Sequence, residues 1–205
     1  MTDKRFLDKV YDLNTPEETR ALYDDWSGSY DAEIMENGYA TPERVARALA
    51  AQVRNLDAPI LDYGCGTGIS GAALIGAGFT AIDGADLSAD MLKGAMEKGV
   101  YRNLWQVQPG GELPFDPGKY HAITAIGVIG VGAAPPETFD LLMDALIPGG
   151  LFALSLNDHA LADPAFTKRL HDHIYRHNAK LMFEEHGDHL PGIDLKSTVY
   201  VLEKT

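Results

Sequence analysis

The sequence predicts an α/β protein, a parallel sheet covered by helices on both faces. Two observations lead there. From Ala58 onward, short apolar runs alternate with segments of helical periodicity. The first run, APILDY, passes directly into a stretch with six glycines, at 64, 66, 68, 71, 76 and 78. The chain has 205 residues, enough for one domain with a sizeable core. A single domain over 1–205 is therefore expected, helical over 1–56 and α/β over 57–205.

The elements follow in order. TPEETRALYDDW places Thr15 as N-cap and Pro16 in the first turn. TPERVARALAAQV repeats that signal with Thr41 and Pro42, and Val45, Leu49 and Val53 share a face. APILDY reads as a buried strand, and a helix follows over about 69–77. FTAIDGADL is a second strand, after which Ser88 caps a helix that stops at Gly99. NLWQVQ is a short third strand and KYHAITAIGVIGV a long apolar fourth. Phe139, Leu142, Met143 and Leu146 mark one face of the next helix, which PGG ends. LFALSLN is a fifth strand, 164–179 a further helix, and KLMFEE and STVYVLEK two closing strands.

Composition narrows the function classes. Hydrophobic residues make up 45% and charged residues 23%, the balance of an ordinary globular protein. No apolar run reaches the ~18 residues a membrane span needs. MTDKRFLDKV has no long apolar stretch after its charges, so neither a secretory signal nor a membrane segment is expected, and the cytoplasm is the default. Cys65 is the one cysteine, so no internal disulfide or multi-cysteine zinc site can form. The net charge of −13, with no Lys/Arg run, disfavours a nucleic-acid partner.

In an open α/β sheet, ligands bind beyond the carboxyl ends of the strands, so the loop after the first strand is the expected site. Two ligand classes compete for it. Gly66, Gly68 and Gly71 form a G-x-G-x-x-G, with Asp86 twenty residues after Gly66, as in dinucleotide sites. Yet Asp62, Tyr63, Gly64 and Cys65 intervene between strand and motif. A carboxylate at 62 opposes a pyrophosphate and suits a cationic ligand, an ammonium or a sulfonium.

The ordered stretches LDYGCGTG, GADLSADML, ELPF and LIPGGLFALS resemble the motifs of class I S-adenosylmethionine-dependent methyltransferases, of the small stand-alone type with an N-terminal helical cap. YDDWSGSYD and STVYVLEK fit as well. The resemblance implies a Rossmann-like seven-stranded methyltransferase sheet of order 3-2-1-4-5-7-6, with strand 7 antiparallel. It assigns Asp62, Gly64, Cys65, Gly66 and Gly68 to the loop around the methionine part of the cofactor. Asp86 would hold the ribose hydroxyls, and Leu87 and Met91 would lie near the adenine. Trp26 and Tyr30 would close over the cofactor, and Ile126 and Gly127 would end the fourth strand beside the transferred methyl. Many relatives have an aspartate before LPF that meets the adenine amino group. Here the text is VQPGGELPF, and Gln108 is the nearest polar residue. Relatives acting on quinones or sterols often have a histidine after strand four, where this chain reads GVIGVGAAPP.

Structural readings stand beside these. Asp62 could serve as a loop cap, Asp86 as a first-turn helix acid, Cys65 as a small residue under the loop, and Met91, Trp26 and Tyr30 as core. Trp26 and Tyr30, at i and i+4, would share a helix face. Six of the seven histidines fall between 159 and 189. His173 and His177 are spaced for a metal, with Asp172 or Glu184 as a further ligand, but two ligands alone make no site, and none is assigned. A substrate pocket lined by one or two of these histidines is a further reading. The implied activity is methyl transfer from S-adenosylmethionine to a small molecule, with His159 or His121 as candidate bases. A protein acceptor, a cofactor-binding module without transfer, and an NAD(P)-dependent oxidoreductase are the alternatives. The PPY/PPF motif of base-amino methylators and a Pro-Cys pair are both absent, which again disfavours nucleic acid.

Overall fold

The computed structural model describes Lys9, Leu13 and residues 15–205 except Gly110, with only the backbone of Pro16. The helical expectation for the remaining residues before Thr15, most of MTDKRFLDKV included, and Gly110 of VQPGGELPF lie outside the described residues.

Three helices come first: α1 (Pro16–Trp26), α2 (Tyr30–Glu36) and α3 (Thr41–Ala50). The α/β part then runs β1 (Ile60–Tyr63), α4 (Ile69–Gly76), β2 (Ile82–Asp86), α5 (Ala89–Lys98), β3 (Leu104–Gln106) and β4 (Ala122–Ala125). It continues through α6 (Glu137–Ala145), β5 (Leu151–Asn157), α7 (Asp158–Ala162), α8 (Pro164–Tyr175), β6 (Ala179–Leu190) and β7 (Leu195–Lys204). The seven strands form one sheet of order β3-β2-β1-β4-β5-β7-β6. β1 to β5 are parallel where they pair, and β7 runs antiparallel to both β5 and β6.

Side-chain alternation explains the two cores. Successive strand residues point to opposite faces. Leu61, Phe152, Leu154 and Leu202 enter the core under α6 and α8, while Ile60, Ala153, Val199 and Val201 enter the core under α3 and α4. Strands covered on both faces are near-continuously apolar, as β5 is apart from Ser155 and the closing Asn157.

Caps fix the helix starts that hold the site. Thr15 forms a capping box: its hydroxyl accepts from the Glu18 N–H at 3.2 Å, and the Thr15 N–H donates to Glu18 Oε2 at 3.1 Å. Ser88 accepts from the Met91 N–H at 3.1 Å, and Gly99 ends α5 with φ of 63°. Thr41 differs from expectation. The N-cap of α3 is Ala40, and the Thr41 hydroxyl turns instead to His189 and Ser197. Buried hydrogen-bond partners on the tail strands outcompete the local cap there.

Other boundaries also move. The long apolar run before Gly130 is a strand only over β4, because Gly127 at φ of 70° turns the chain out of the sheet. The helix expected to reach residue 179 ends at Tyr175, with His177 at φ of 60°, so the chain reverses into β6. Trp26 and Tyr30 lie on two helices, not one face of one helix, because the chain turns over 27–29. Their rings still meet edge to face at 4.8 Å. Among the described residues, no helix is long and apolar enough to cross a membrane.

Candidate active site

A cavity of about 510 Å³ opens beyond the carboxyl ends of β1, β2 and β4, within the range of small-molecule and cofactor sites. Gly64 and Gly66 form one wall, Asp86 stands at the next, and Leu87, Met91 and Ile126 make the apolar floor. Thr19, Tyr23 and Tyr30 of the N-terminal helices close it from above. Gln108 stands at its rim, exposed, in the segment after β3.

The loop is shaped by two constraints. Gly64 has φ of 70°, and an added Cβ would lie 2.3 Å from Val128 Cγ2. Only glycine fits both the left-handed backbone and that close approach. Asp86 then ties the loop to the end of β2. Its Oδ2 accepts from the Gly66 N–H at 2.9 Å and its Oδ1 from the Ser88 N–H at 2.9 Å. Burial pushes the Asp86 carboxyl up to about 6, with the two N–H donors opposing. It remains the one carboxylate at the head of β2 facing the cavity, with lone pairs to spare for two hydroxyls.

Asp62 sits elsewhere. It is fully buried behind the loop and does not line the cavity. It accepts from the Ser70 hydroxyl at 2.6 Å, the Tyr101 hydroxyl at 2.7 Å and the Thr124 hydroxyl at 2.8 Å. Desolvation raises its pKa against those three donors. Tyr101 also accepts from the Gly71 N–H at 3.0 Å, so it braces the first turn of α4. No local sequence signal pointed to Tyr101, which is 39 residues from Asp62.

The other expected residues divide. Cys65 is buried with Leu92 and Ala95, away from the cavity, and burial pushes its thiol well up. Gly68 is the buried N-cap of α4, under Ala95, Lys98 and Tyr101. Its neighbour Thr67 is held by Asp31 of α2 and by Lys98, which donates to the Thr67 carbonyl at 2.8 Å. Trp26 is fully buried, donates to Glu33 Oε2 at 3.1 Å and does not line the large cavity. The candidate bases are displaced. His121 immediately precedes β4 at the amino end of the sheet, exposed, on the side opposite the cavity. His159 is exposed on α7 and lines neither cavity. His173 meets Asp140 Oδ1 at 2.6 Å, while His177 lies beyond the end of α8, so the two do not converge.

A second, smaller cavity of about 60 Å³ adjoins the first. Tyr23, Tyr30, Gly127 and Ala133 line both. Its own walls bring together Trp26, Tyr39, Ser155, Asn157 and His189. Tyr39 and Asn157 carry no motif. Their convergence depends on how the helical cap docks on β5 and β6, a long-range fact.

Comparison with known proteins agrees with this fold. The sequence model of a family described as a methyltransferase domain matches residues 32–199. Human (Homo sapiens) methyltransferase-like protein 27 is 32% identical over 137 residues, which is 65% of this chain and 56% of that protein. The chain therefore spans little more than half the length of that relative. Among solved structures, the Burkholderia thailandensis 1,6-didemethyltoxoflavin-N1-methyltransferase, bound to 1,6-didemethyltoxoflavin and S-adenosylhomocysteine, aligns with a TM-score of 0.63 at 18% identity, over 94% of this chain and 92% of that one. The cyclase SpnF aligns with a TM-score of 0.59 at 15% identity, over 79% and 81%. At such identities the structural likeness shows the fold alone. The family match covers most of the chain, and on that ground the protein belongs to the methyltransferase-domain family.

Proposed function

We propose that the protein binds S-adenosylmethionine in the large cavity and transfers its methyl group to a small molecule. The observation that carries this reading is Asp86. It is a buried carboxylate at the end of β2, anchored by two backbone N–H groups beside an apolar floor of Leu87, Met91 and Ile126. That pattern suits ribose hydroxyls next to a purine. The sulfonium of the bound cofactor supplies an already activated methyl group. The chain's own task is then to hold the acceptor in line and exclude water. Orientation of this kind is worth roughly 7–11 kcal/mol when geometry is good. Tyr23 and Tyr30, which roof both cavities, are placed to do so.

The oxidoreductase reading fits less well. A dinucleotide's pyrophosphate needs the open N-terminus of the helix after β1. Here Gly68 is buried and Thr67 is engaged by Asp31 and Lys98. A second reading, the fold used for something other than methyl transfer, is kept by the likeness to a cyclase. A protein acceptor is the alternative substrate class. Isothermal titration separates these. S-adenosylmethionine and S-adenosylhomocysteine should both bind, and NAD(H) should not. Binding of NAD(H) alone would overturn the proposal, and binding with no turnover across small-molecule and protein acceptors would favour the non-transfer reading.

A further inference from the structure

The small cavity holds a polar group that the proposed cofactor site does not use. His189, the penultimate residue of β6, is 7% exposed and lines this cavity. Its Nδ1 lies 2.8 Å from the Thr41 hydroxyl, which lies 3.0 Å from the Ser197 hydroxyl. Ser197 Oγ in turn accepts from Arg44 Nη1 at 3.2 Å.

The direction of this chain can be assigned. Arginine only donates. The Ser197 hydroxyl is fully buried, and its oxygen already receives Arg44, so its proton has one acceptor within reach, Thr41 Oγ1. The fully buried Thr41 must then give its own proton to His189 Nδ1. Nδ1 is thus an acceptor, and the proton of the neutral ring sits on Nε2. Nε2 makes no hydrogen bond to any described residue. Yet among the described residues the only sealed side-chain nitrogen or oxygen without a partner is His173 Nδ1. The Nε2–H therefore opens into free space, and the cavity is where His189 meets it. Burial lowers the His189 pKa to about 4, with the Arg44 charge adding to the effect, so the ring stays neutral near pH 7.

From this network we infer that His189 orients the methyl acceptor by donating an Nε2–H hydrogen bond to it, and that the acceptor is a neutral small molecule whose carbonyl oxygen enters this cavity. At about 60 Å³ the cavity admits a carbonyl group but not a whole ring, which needs about 150 Å³, so the rest of the molecule lies in the larger cavity. The small cavity's buried donor would be left unpaired by a pure hydrocarbon, which is how such a site discriminates. The cavity's continuity with the larger one, through Gly127 and Tyr30, puts the body of such a molecule beside the proposed methyl position. The inference rests on the methyl-transfer reading for the identity of the ligand, though not for the tautomer.

Two measurements test it. Nitrogen-15 spectra of the histidine rings in the free protein should show His189 as the Nε2–H tautomer, and an Nδ1–H form would overturn the inference whatever the cofactor. Acetophenone, with ethylbenzene as its oxygen-free counterpart, should then be titrated into the protein with S-adenosylhomocysteine. Acetophenone should bind about tenfold more tightly than ethylbenzene and shift the His189 ring signals. His189→Phe should abolish that preference while S-adenosylhomocysteine affinity holds within about twofold, and His189→Gln, which keeps a nitrogen donor, should retain it. Equal binding of the two probes to the unmodified protein, or an undiminished preference in His189→Phe, would overturn it. Failure of S-adenosylhomocysteine to bind would instead remove the proposed function, and the tautomer and the probe preference would still be read on the free protein.

Discussion

At the scale of single residues, two aspartates that look alike in sequence are given opposite tasks. Asp86 faces the cavity, and Asp62 faces three hydroxyls inside the protein. Replacing each by alanine should separate the tasks. Asp86→Ala should weaken S-adenosylhomocysteine binding by about 1–3 kcal/mol, the cost of losing a buried hydrogen-bond partner, as read by titration calorimetry. Unchanged affinity would remove the ribose role. Asp62→Ala strands the hydroxyls of Ser70, Tyr101 and Thr124, two of them on fully or nearly fully buried residues. It should lower the urea midpoint by the equivalent of about 3 kcal/mol. If the midpoint stays put while cofactor affinity falls, Asp62 acts on the ligand after all.

At the scale of elements, the loop between β1 and α4 depends on its contact with the segment after β4. Gly64→Ala would put a methyl 2.3 Å from Val128 Cγ2, on a backbone with φ of 70°. The left-handed conformation alone costs about 1–2 kcal/mol for a non-glycine residue. The substitution should therefore displace the loop and weaken S-adenosylhomocysteine binding. Adding Val128→Ala should recover only part of the loss, because it removes the clash and leaves the backbone strain. Full recovery would show that sterics alone shape the loop. The same elements show what was legible beforehand. The strands and the glycine loop followed from apolar runs and motifs that are local in sequence, whereas the strand order was implied only by the family resemblance. The cap at Thr15 and the stop at Gly99 were legible for the same reason. Thr41 was misread because its partners, His189 and Ser197, are 148 and 156 residues away. Tyr101 and Tyr39 reach the site only through the way the cap and α5 pack, which no local pattern encodes; His189 falls in the histidine cluster read as a candidate pocket lining, but only the packing of β6 distinguishes it from the other five. His121 illustrates the converse: it borders a recognisable strand, but at the end remote from the cavity.

At the scale of the whole molecule, two buried groups at the site should leave opposing marks on stability. Asp86 is raised from 3.8 to about 6. Between those values the folded state holds its proton while the unfolded chain has released it, so stability falls as pH rises. His189 is lowered from 6.5 to about 4. Between those values the unfolded chain binds a proton that the folded state refuses, so stability rises with pH. Each shift of about two units is worth about 3 kcal/mol, and the windows overlap from about pH 4 to about pH 6. The raised Asp62 acts in the same sense as Asp86, and the lowered Asp83 contributes only below the ordinary carboxylate range. Within the overlap the two marks largely cancel in the unmodified protein. They should separate in variants. His189→Phe deletes the histidine contribution, and its unfolding free energy should decline from about pH 4 to about pH 6. Asp86→Asn deletes the carboxylate contribution, and its unfolding free energy should climb across the same interval. Urea titrations at intervals across that range read both slopes. Parallel pH profiles for the two variants would mean that at least one of these groups titrates in the folded protein as it does in the unfolded chain. The burial that makes the site selective would then have to be assigned to other residues.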